Sequence, residues 1–206
     1  LTNAVHSVLR LTKTSATTLT ETAVLGTHVL LTNSTSSYVS GGVYVVSCRV
    51  NFTGRSGWVV FGAGNAGSTM ACLRSFNPSL GTFGSYVGDV GATFIGHDIG
   101  EVDSEGLSRI SLAFTPTATT ASGGLQLYID SSVNGAGAVS YTGDTGVSIQ
   151  ATDFQLEDIT GRADQTTPSE YVSVGVTSAP YYHGSMVDGV KCFATDINGA
   201  AIPSTT

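Results

Sequence analysis

The sequence predicts an all-β protein of the sandwich or barrel type. Apolar residues recur at every second position through much of the chain, which is the pattern of strands with one buried face. Clusters of Gly, Ser, Asn and Asp separate the alternating segments, as turns between strands do. No long window keeps the i, i+3, i+4, i+7 spacing of an amphipathic helix. Several strands at such short intervals favour a sandwich or a barrel.

The clearest predicted strand covers residues 46–52. Its even-numbered positions are the apolar residues Val46, Cys48, Val50 and Phe52, whereas its odd-numbered positions are polar. Successive side chains of a strand point to opposite faces, so we expect one face to meet the core and the other to meet water. The same pattern predicts six more strands, at residues 23–31, 57–61, 69–74, 107–114, 125–130 and 147–159.

The last of these predicted strands changes its register. Its apolar residues up to Ala151 have odd numbers, whereas Phe154 and Leu156 have even numbers. One extra residue near Thr152 or Asp153 would bring both sets to the same face. The sequence therefore predicts a β-bulge at that place.

Both ends of the chain depart from the strand pattern. Residues 1–20 are crowded with threonine and are predicted to form an extended lead-in. Residues 21–176 are long enough to form a sandwich with a core of its own. Turn residues then replace the strand pattern, so residues 177–206 are predicted to be a linker or docking arm. The chain begins at Leu1 rather than Met, which indicates a processed product or a fragment.

Composition and charge exclude several classes of partner. The 206 residues include 15 acidic and 8 basic ones, which gives a net charge of -7 at pH 7. No cluster of Lys and Arg is present that would neutralise phosphates, so nucleic acid is not an expected partner. No stretch approaches the roughly 20 apolar residues that span a bilayer, so insertion into a membrane is not expected either.

The cysteines carry no sign of a disulfide framework. Cys48, Cys72 and Cys192 form no C-x-x-C pair, and their number is odd. We therefore predict reduced, buried and unreactive thiols rather than reactive or metal-binding ones.

No catalytic motif is apparent. The G-x-S-x-G sequence of hydrolases is missing, and no Cys or Ser motif stands beside any of the four histidines, His6, His28, His97 and His183. A glycoside hydrolase needs two opposed carboxylates, for which Asp98 with Glu157 is the pair that the sequence leaves open. Nothing else favours that pair, so we predict that the protein is not an enzyme.

The densest acidic cluster consists of Asp98, Glu101, Asp103 and Glu105. Glu101, Asp103 and Glu105, followed by Gly106, have the spacing of the first ligands of an EF-hand calcium loop. The twelfth position of that loop is Leu112 rather than Glu, and the segment leads into a strand instead of a helix. A solvated hairpin loop is therefore the preferred interpretation, and a weak cation site is the alternative.

Several motifs follow one another in a distinctive order. They are the strand 43–50, the segment 80–84 with its Gly-Thr turn, the strand 106–115, the turn Tyr141-Thr142-Gly143-Asp144, the segment Phe154-Gln155-Leu156-Glu157 and the closing segment Ser169-Glu170-Tyr171-Val172. Together they resemble the jelly-roll modules of tail-fibre and head-fibre proteins of tailed bacteriophages, which are similar to carbohydrate-binding modules of polysaccharide hydrolases. Residues 178–193 resemble a connector that follows such modules in phage structural proteins.

The resemblance implies a jelly-roll β-sandwich of two antiparallel sheets with extended arms at both ends. It implies a place on the virion surface, as part of a tail fibre, a head fibre or a capsid decoration. Other virion proteins and host-surface polysaccharide are then the expected partners, and a homo-oligomer is expected of such an assembly. No cofactor is required. The related modules often hold a structural calcium ion with a carboxylate of the final strand, which makes Asp153 the candidate metal ligand.

Sugar recognition usually needs an exposed aromatic ring with hydrogen-bonding groups beside it. Tyr128 alternates with apolar neighbours, so it is predicted to face outward together with Gln126 and Asp130. Trp58 and Tyr86 are the other aromatic candidates, although the strand pattern around Trp58 also fits a core residue. Two functions stay open, which are binding of host glycan and a purely architectural role as a decoration or spacer without sugar binding.

Overall fold

The protein consists of strands and turns in the part of the chain that is described. The computed structural model describes residues 8–10, 17–20, 23, 25–27, 29–32, 36–53, 57–65, 69–169, 186–187 and 190–191. Among these residues no helix occurs, which confirms the predicted all-β class. The chain divides into two compact units, Leu1–Ser169 and Glu170–Thr206. The predicted boundary after residue 176 falls within the second unit.

The strands are numbered in chain order. They are β1 (Val8–Arg10), β2 (Thr17–Thr20), β3 (Leu25–Thr27), β4 (Val29–Thr32), β5 (Ser36–Tyr38), β6 (Tyr44–Thr53), β7 (Trp58–Asn65), β8 (Ala71–Asn77), β9 (Thr82–Val90), β10 (Ala92–Val102), β11 (Ser108–Pro116), β12 (Thr120–Asp130), β13 (Ser140–Thr142), β14 (Ser148–Asp158), β15 (Met186–Val187) and β16 (Val190–Lys191). In the second unit, the strands β15 and β16 pair with each other within the predicted C-terminal arm.

Two six-stranded antiparallel sheets make up most of the first unit. In the first sheet the order is β14-β6-β11-β10, and both β1 and β2 pair with the other side of β14. In the second sheet the order is β12-β7-β8-β9, and both β4 and β5 pair with the other side of β12. Side chains from both sheets form one buried cluster, so the two sheets face each other as a β-sandwich. The short strands β3 and β13 form a separate pair.

The core is built from one face of each central strand. Val46, Cys48 and Val50 of β6 are at most 1% exposed. They belong to the same apolar cluster as Phe61 of β7 and Leu127 of β12. The predicted apolar face of residues 46–52 is thus confirmed. Full burial of such an apolar side chain stabilises the fold by about 1.5–3 kcal/mol. The prediction that the opposite face meets water is wrong at Ser47, which is buried beneath Arg109.

The strand β14 contains the predicted bulge. Its pairing with β6 shifts between Thr152 and Gln155, and Asp153 has a positive φ of 54°. Asp is among the few residue types that adopt this left-handed conformation without a large penalty. The shift leaves both Ala151 and Phe154 in the core, which confirms the interpretation of the change in parity.

The sequence pattern does not reveal β9 and β10. Among the described strands, each of these two lies at the edge of its sheet, and their side chains are exposed or half-buried. A strand that is poorly covered on both faces has no need of strict apolar alternation, so this signal is missing. The strands β1 and β2 lie within the predicted lead-in at residues 1–20, yet both pair with β14, so these parts of the lead-in belong to the sheet.

The structure places two of the three cysteines in the core. Cys48 and Cys72 are free and buried. Burial raises the pKa of both thiols well above the usual range, so both stay protonated and unreactive. This confirms the prediction for these two residues. Cys192 lies outside the described residues.

A cluster of charged and aromatic side chains lies where β8, β9 and β10 meet. Arg74 donates two hydrogen bonds to Asp89, from Nη1 to Oδ1 at 2.6 Å and from Nη2 to Oδ2 at 2.8 Å. Its Cζ lies 4.1 Å from the ring centre of Phe94. The ring of His97 stacks on Phe83 with centroids 3.7 Å apart. Nδ1 of His97 is buried without a hydrogen-bond partner among the described residues, so nothing at that atom stabilises a charged ring.

This cluster makes the stability of the protein depend on pH. Burial and then the positive charge of Arg74 lower the pKa of His97, and Asp98 opposes them only in part. Protonation of His97 therefore favours the unfolded chain. The neutral ring of His97 makes its full contribution to the stability of the fold above the ordinary histidine pKa of about 6.5. This contribution is lost as the pH falls from about 6.5 through the lowered pKa of the folded protein.

We expect the melting temperature to fall between about pH 8 and about pH 5, because the unfolded chain takes up a proton that folded His97 resists. The variant His97→Phe, which keeps an aromatic ring beside Phe83, should lose part of this dependence. Thermal unfolding of both proteins at the two pH values measures the difference. An identical pH dependence in the variant would show that other groups cause the effect.

Below about pH 4 both proteins should lose stability further, because hydrogen bonds from Arg74 lower the pKa of Asp89.

Candidate functional site

Asp130 organises the outer face of the second sheet. It is the last residue of β12, and it is fully buried. Its carboxylate accepts a hydrogen bond from Oγ of Ser75 at 3.1 Å. It also accepts hydrogen bonds of 2.8–2.9 Å from three backbone N–H groups, those of Ser132, Gly137 and Ala138. These bonds hold residues 131–139, here named the covering loop, against the sheet.

The covering loop packs onto two aromatic rings through its glycines. A methyl group on Gly135 would come within 2.6 Å of Cε3 of Trp58, and one on Gly137 within 2.1 Å of Cδ2 of Tyr86. Both glycines have positive φ angles, of 67° and 81°, which other residues rarely adopt. The backbone N–H of Tyr86 also donates to the carbonyl oxygen of Gly135 at 2.8 Å. Close contact between loop and rings therefore requires glycine at both positions.

Tyr86 and Tyr128 are neighbours, and both are half-buried. The ring of Tyr86 also lies against Gly88. Burial, and after it the nearby Tyr86, raises the pKa of the Tyr128 hydroxyl, so this group stays protonated at neutral pH. Gln126 is half-buried on the same face of β12, and its side chain lies over Gly64 of β7. We name Tyr86, Tyr128 and Gln126 the tyrosine platform.

Two of the predicted sugar-binding residues are buried instead of exposed. The alternation of β12 predicts an outward-facing, solvent-exposed Asp130, and this is wrong because the covering loop buries the carboxylate. Trp58 is 8% exposed, and its Nε1 donates to the carbonyl oxygen of Val133 at 3.2 Å, so it lacks an open face for a sugar. One sequence signal could have indicated that Asp130 anchors a loop. Ser, Asn and Gly residues follow it, and these are typical of a turn that offers backbone N–H donors.

We expect Asp130→Ala to lower the free energy of unfolding by about 3 kcal/mol, because it leaves the buried hydroxyl of Ser75 and three part-buried backbone N–H groups without their acceptor. Asp98→Ala is the control, since Asp98 is an exposed carboxylate and should change the value by less than about 0.5 kcal/mol. Urea unfolding of the three proteins measures both effects. Equal stability of the two variants would contradict an anchoring role for Asp130.

A second polar cluster lies on the outer face of the first sheet. Arg49 of β6 donates from Nη1 to Asp153 at 3.0 Å, from Nη2 to Glu105 at 2.7 Å and from Nε to Asp103 at 2.9 Å. Burial disfavours the charge of Arg49, but the hydrogen bonds to these carboxylates outweigh burial and raise its pKa. Asp103 and Glu105 are exposed in the turn between β10 and β11, which confirms the predicted hairpin loop for these two residues. Asp98 and Glu101 belong to the strand β10 instead, so the predicted loop does not include them.

This pairing bears on the predicted calcium ligand. Within the described ranges, no group of three or more His, Cys, Asp and Glu side chains is arranged to hold a metal ion. The carboxylate of Asp153 is bound to Arg49. Calcium binding at Asp153 stays a prediction, and it requires release of the guanidinium.

We expect Arg49→Gln to bind calcium more tightly than the unmodified protein, because three carboxylates then lose the cation that neutralises them. Calorimetric titration of chelator-treated protein measures the affinity, and the melting temperature with and without calcium gives a second readout. Calcium binding that is unchanged or weaker in Arg49→Gln would remove Asp153 as a metal ligand.

The carboxylates of the candidate hydrolase pair lie on distant strands. Asp98 of β10 is in register with Gln155 of β14, with β11 and β6 between them. Three strand spacings amount to about 14 Å, and Glu157 lies two residues beyond Gln155. Glycosidases hold their two carboxyl groups about 5–9.5 Å apart. Glu157 is also buried, and it accepts hydrogen bonds from Nε2 of Gln155 at 2.5 Å and from the N–H of Ser169 at 2.8 Å.

Comparisons with known proteins add no family to this description. No protein-family model matches the chain, and no curated protein is significantly similar to it. Across the described segments, no helix has the length and apolar character needed to cross a bilayer. Interpretation of the site therefore rests on its own geometry.

Proposed function

We propose that the chain is a non-catalytic display module of a tailed-bacteriophage particle, and that it binds host-surface glycan through the tyrosine platform. The observation that carries this proposal is the pair of half-buried tyrosines, Tyr86 and Tyr128, with the amide of Gln126 on the same face. Aromatic rings stack on the apolar faces of sugars, while phenol and amide groups pair with sugar hydroxyls. The platform carries no charge, which suits a neutral polysaccharide.

The rigid setting of the platform supports binding. Tyr128 and Gln126 belong to β12, which has hydrogen-bonded strands on both sides. The Tyr86 ring packs against Gly88 and Gly137, and the loop that contains Gly137 is anchored by Asp130. Side chains that are already ordered lose less conformational entropy when a ligand binds.

The assignment to a phage particle rests on the resemblance of the sequence motifs to jelly-roll modules of fibre proteins. The strand orders β2-β14-β6-β11 and β4-β12-β7-β8 join strands that are distant in sequence, as the Greek-key connections of a jelly roll do. The strand orders support a jelly roll, and the resemblance supports a place on the virion surface, in a tail fibre, head fibre or capsid decoration. Other virion proteins and host polysaccharide are then the partners, and no cofactor is required.

A purely architectural role, as a capsid decoration or a spacer without sugar binding, is the second candidate. It is favoured by the long strands β9 and β10, which are the last described strands of the two sheets and carry exposed apolar side chains. Such edges suit assembly with other chains. The two candidates differ in what the isolated protein binds.

A glycan array and adsorption to host cells test the proposal. We expect binding by the unmodified protein, and a loss of about tenfold or more in affinity for Tyr128→Ala and for Tyr86→Ala, because the first removes the stacking ring and the second removes the ring that packs beside it against Gly137. Phe83→Ala is the matched control, since Phe83 is an exposed aromatic residue on the side of β9 that faces His97.

A blank array with the unmodified protein would favour the architectural role. Equal binding by Tyr128→Ala and Phe83→Ala would remove the platform as the sugar site. Incubation with host polysaccharide should release no reducing sugar, and its release would contradict a non-catalytic module.

A further inference from the structure

The polar side chains of the tyrosine platform are unpaired within the described part of the chain, although a polar side chain beside them is paired. Ser75 of β8 donates its hydroxyl to Asp130. In contrast, the hydroxyls of Tyr86 and Tyr128 and the amide of Gln126 have no hydrogen-bond partner among the described residues, although all three side chains are half-buried. Half-buried polar groups without a protein partner bind water or a ligand. These three groups can therefore pair with the hydroxyls of a sugar.

The amide of Gln126 has a defined place on the sheet. A methyl group on Gly64 would lie 2.6 Å from each of the atoms Cδ, Nε2 and Oε1 of Gln126. Equal distances to the three atoms mean that the flat face of the amide lies on Gly64, so its N–H and C=O groups lie along the surface of the sheet. Glycine weakens the interior of a strand and often marks a place where another group approaches closely. Gly64 therefore leaves room for an ordered amide beside the tyrosines.

We propose that Gln126 is the specificity-determining residue of the glycan site, and that it binds two adjacent free hydroxyl groups of a neutral sugar. This inference rests on the proposed binding of glycan by the tyrosine platform. A primary amide carries an acceptor oxygen and an N–H donor side by side. Adjacent hydroxyls match this pair, because one donates to Oε1 while the oxygen of the other accepts from Nε2. Gln126 and Tyr128 lie two residues apart on one face of β12, about 7 Å between Cα atoms, so one glycan chain can contact both.

The same chemistry disfavours two other common sugar substituents. An acetamido group is trans like a peptide bond, so its N–H and its carbonyl oxygen point to opposite sides. It can therefore pair with only one of the two polar groups of Gln126 at a time. A carboxylate carries acceptors alone, so it leaves Oε1 of Gln126 without a donor. The substrate class that fits the amide is thus an unsubstituted sugar chain in which neighbouring ring carbons keep their hydroxyls.

An array of long polysaccharides tests the proposal with the whole chain. The internal units of 1,4-linked hexose chains keep adjacent hydroxyls, whereas those of 1,3-linked hexose chains and of 1,4-linked N-acetylhexosamine chains lack them. We expect binding to the first class only. Gln126→Leu should weaken this binding by about tenfold or more, because it removes both hydrogen bonds but keeps the size of the side chain. Gln150→Leu is the matched control, since Gln150 is an exposed glutamine on β14 of the other sheet.

Gly64→Ala gives a second, independent readout. Gly64 has no positive φ, so its backbone accepts alanine, but the added methyl group displaces the amide of Gln126 and should weaken binding as Gln126→Leu does. The melting temperature of each variant establishes that it is folded, and either variant serves if the other does not fold.

The outcomes separate this inference from the proposed function. Binding to chains without adjacent hydroxyls, or unchanged affinity of the folded Gln126→Leu protein, would overturn the role of Gln126. The proposed function stands in that case if Tyr128→Ala still abolishes binding. A blank array with the unmodified protein contradicts the proposed function itself, and the role of Gln126 with it.

Discussion

Side chains from both sheets share a single apolar layer, in which Phe61, Leu112 and Leu127 are fully buried. Each strand that contributes to this layer has to keep one face apolar, and that requirement sets the register of the central strands. The bulge at Asp153 is a direct consequence, because it returns β14 to the core after its parity changes. Both outer faces and both edges take their positions from this layer.

Outward-facing carboxylates near the ends of two strands bind the segments that follow these strands. Asp130 at the end of β12 accepts backbone N–H groups of the covering loop. Glu157 near the end of β14 accepts the backbone N–H of Ser169. In both cases the strand is followed by a segment that returns across the sheet and buries the carboxylate. A buried carboxylate is stable only when donors surround it, so each one fixes the segment that supplies them.

Neighbouring residues of β9 have different surroundings. Tyr86 lies under the covering loop on the outer face of the second sheet, whereas Val87 and Val90 are exposed toward the end of the strand. The pairing of β8 with β9 shifts its register between Phe83 and Val87, so Tyr86 lies within the irregular part of the strand. Extra residues in one strand re-aim its side chains, which brings Tyr86 to the covering loop.

The sequence alone was sufficient for the all-β class, for the buried face of β6 and for the bulge in β14, because a period of two reflects which face of a strand is buried. It also placed Tyr128 and Gln126 on one face. It did not reveal β9 and β10, because strands at an edge lack that pattern. Only the tertiary structure decided that Asp130 is an anchor, that Arg49 binds Asp153, and that Arg74 binds Asp89. The period of the apolar pattern predicts which side of a strand a residue faces. Whether that side is buried, and which groups contact it, depends on other segments of the chain that pack over it.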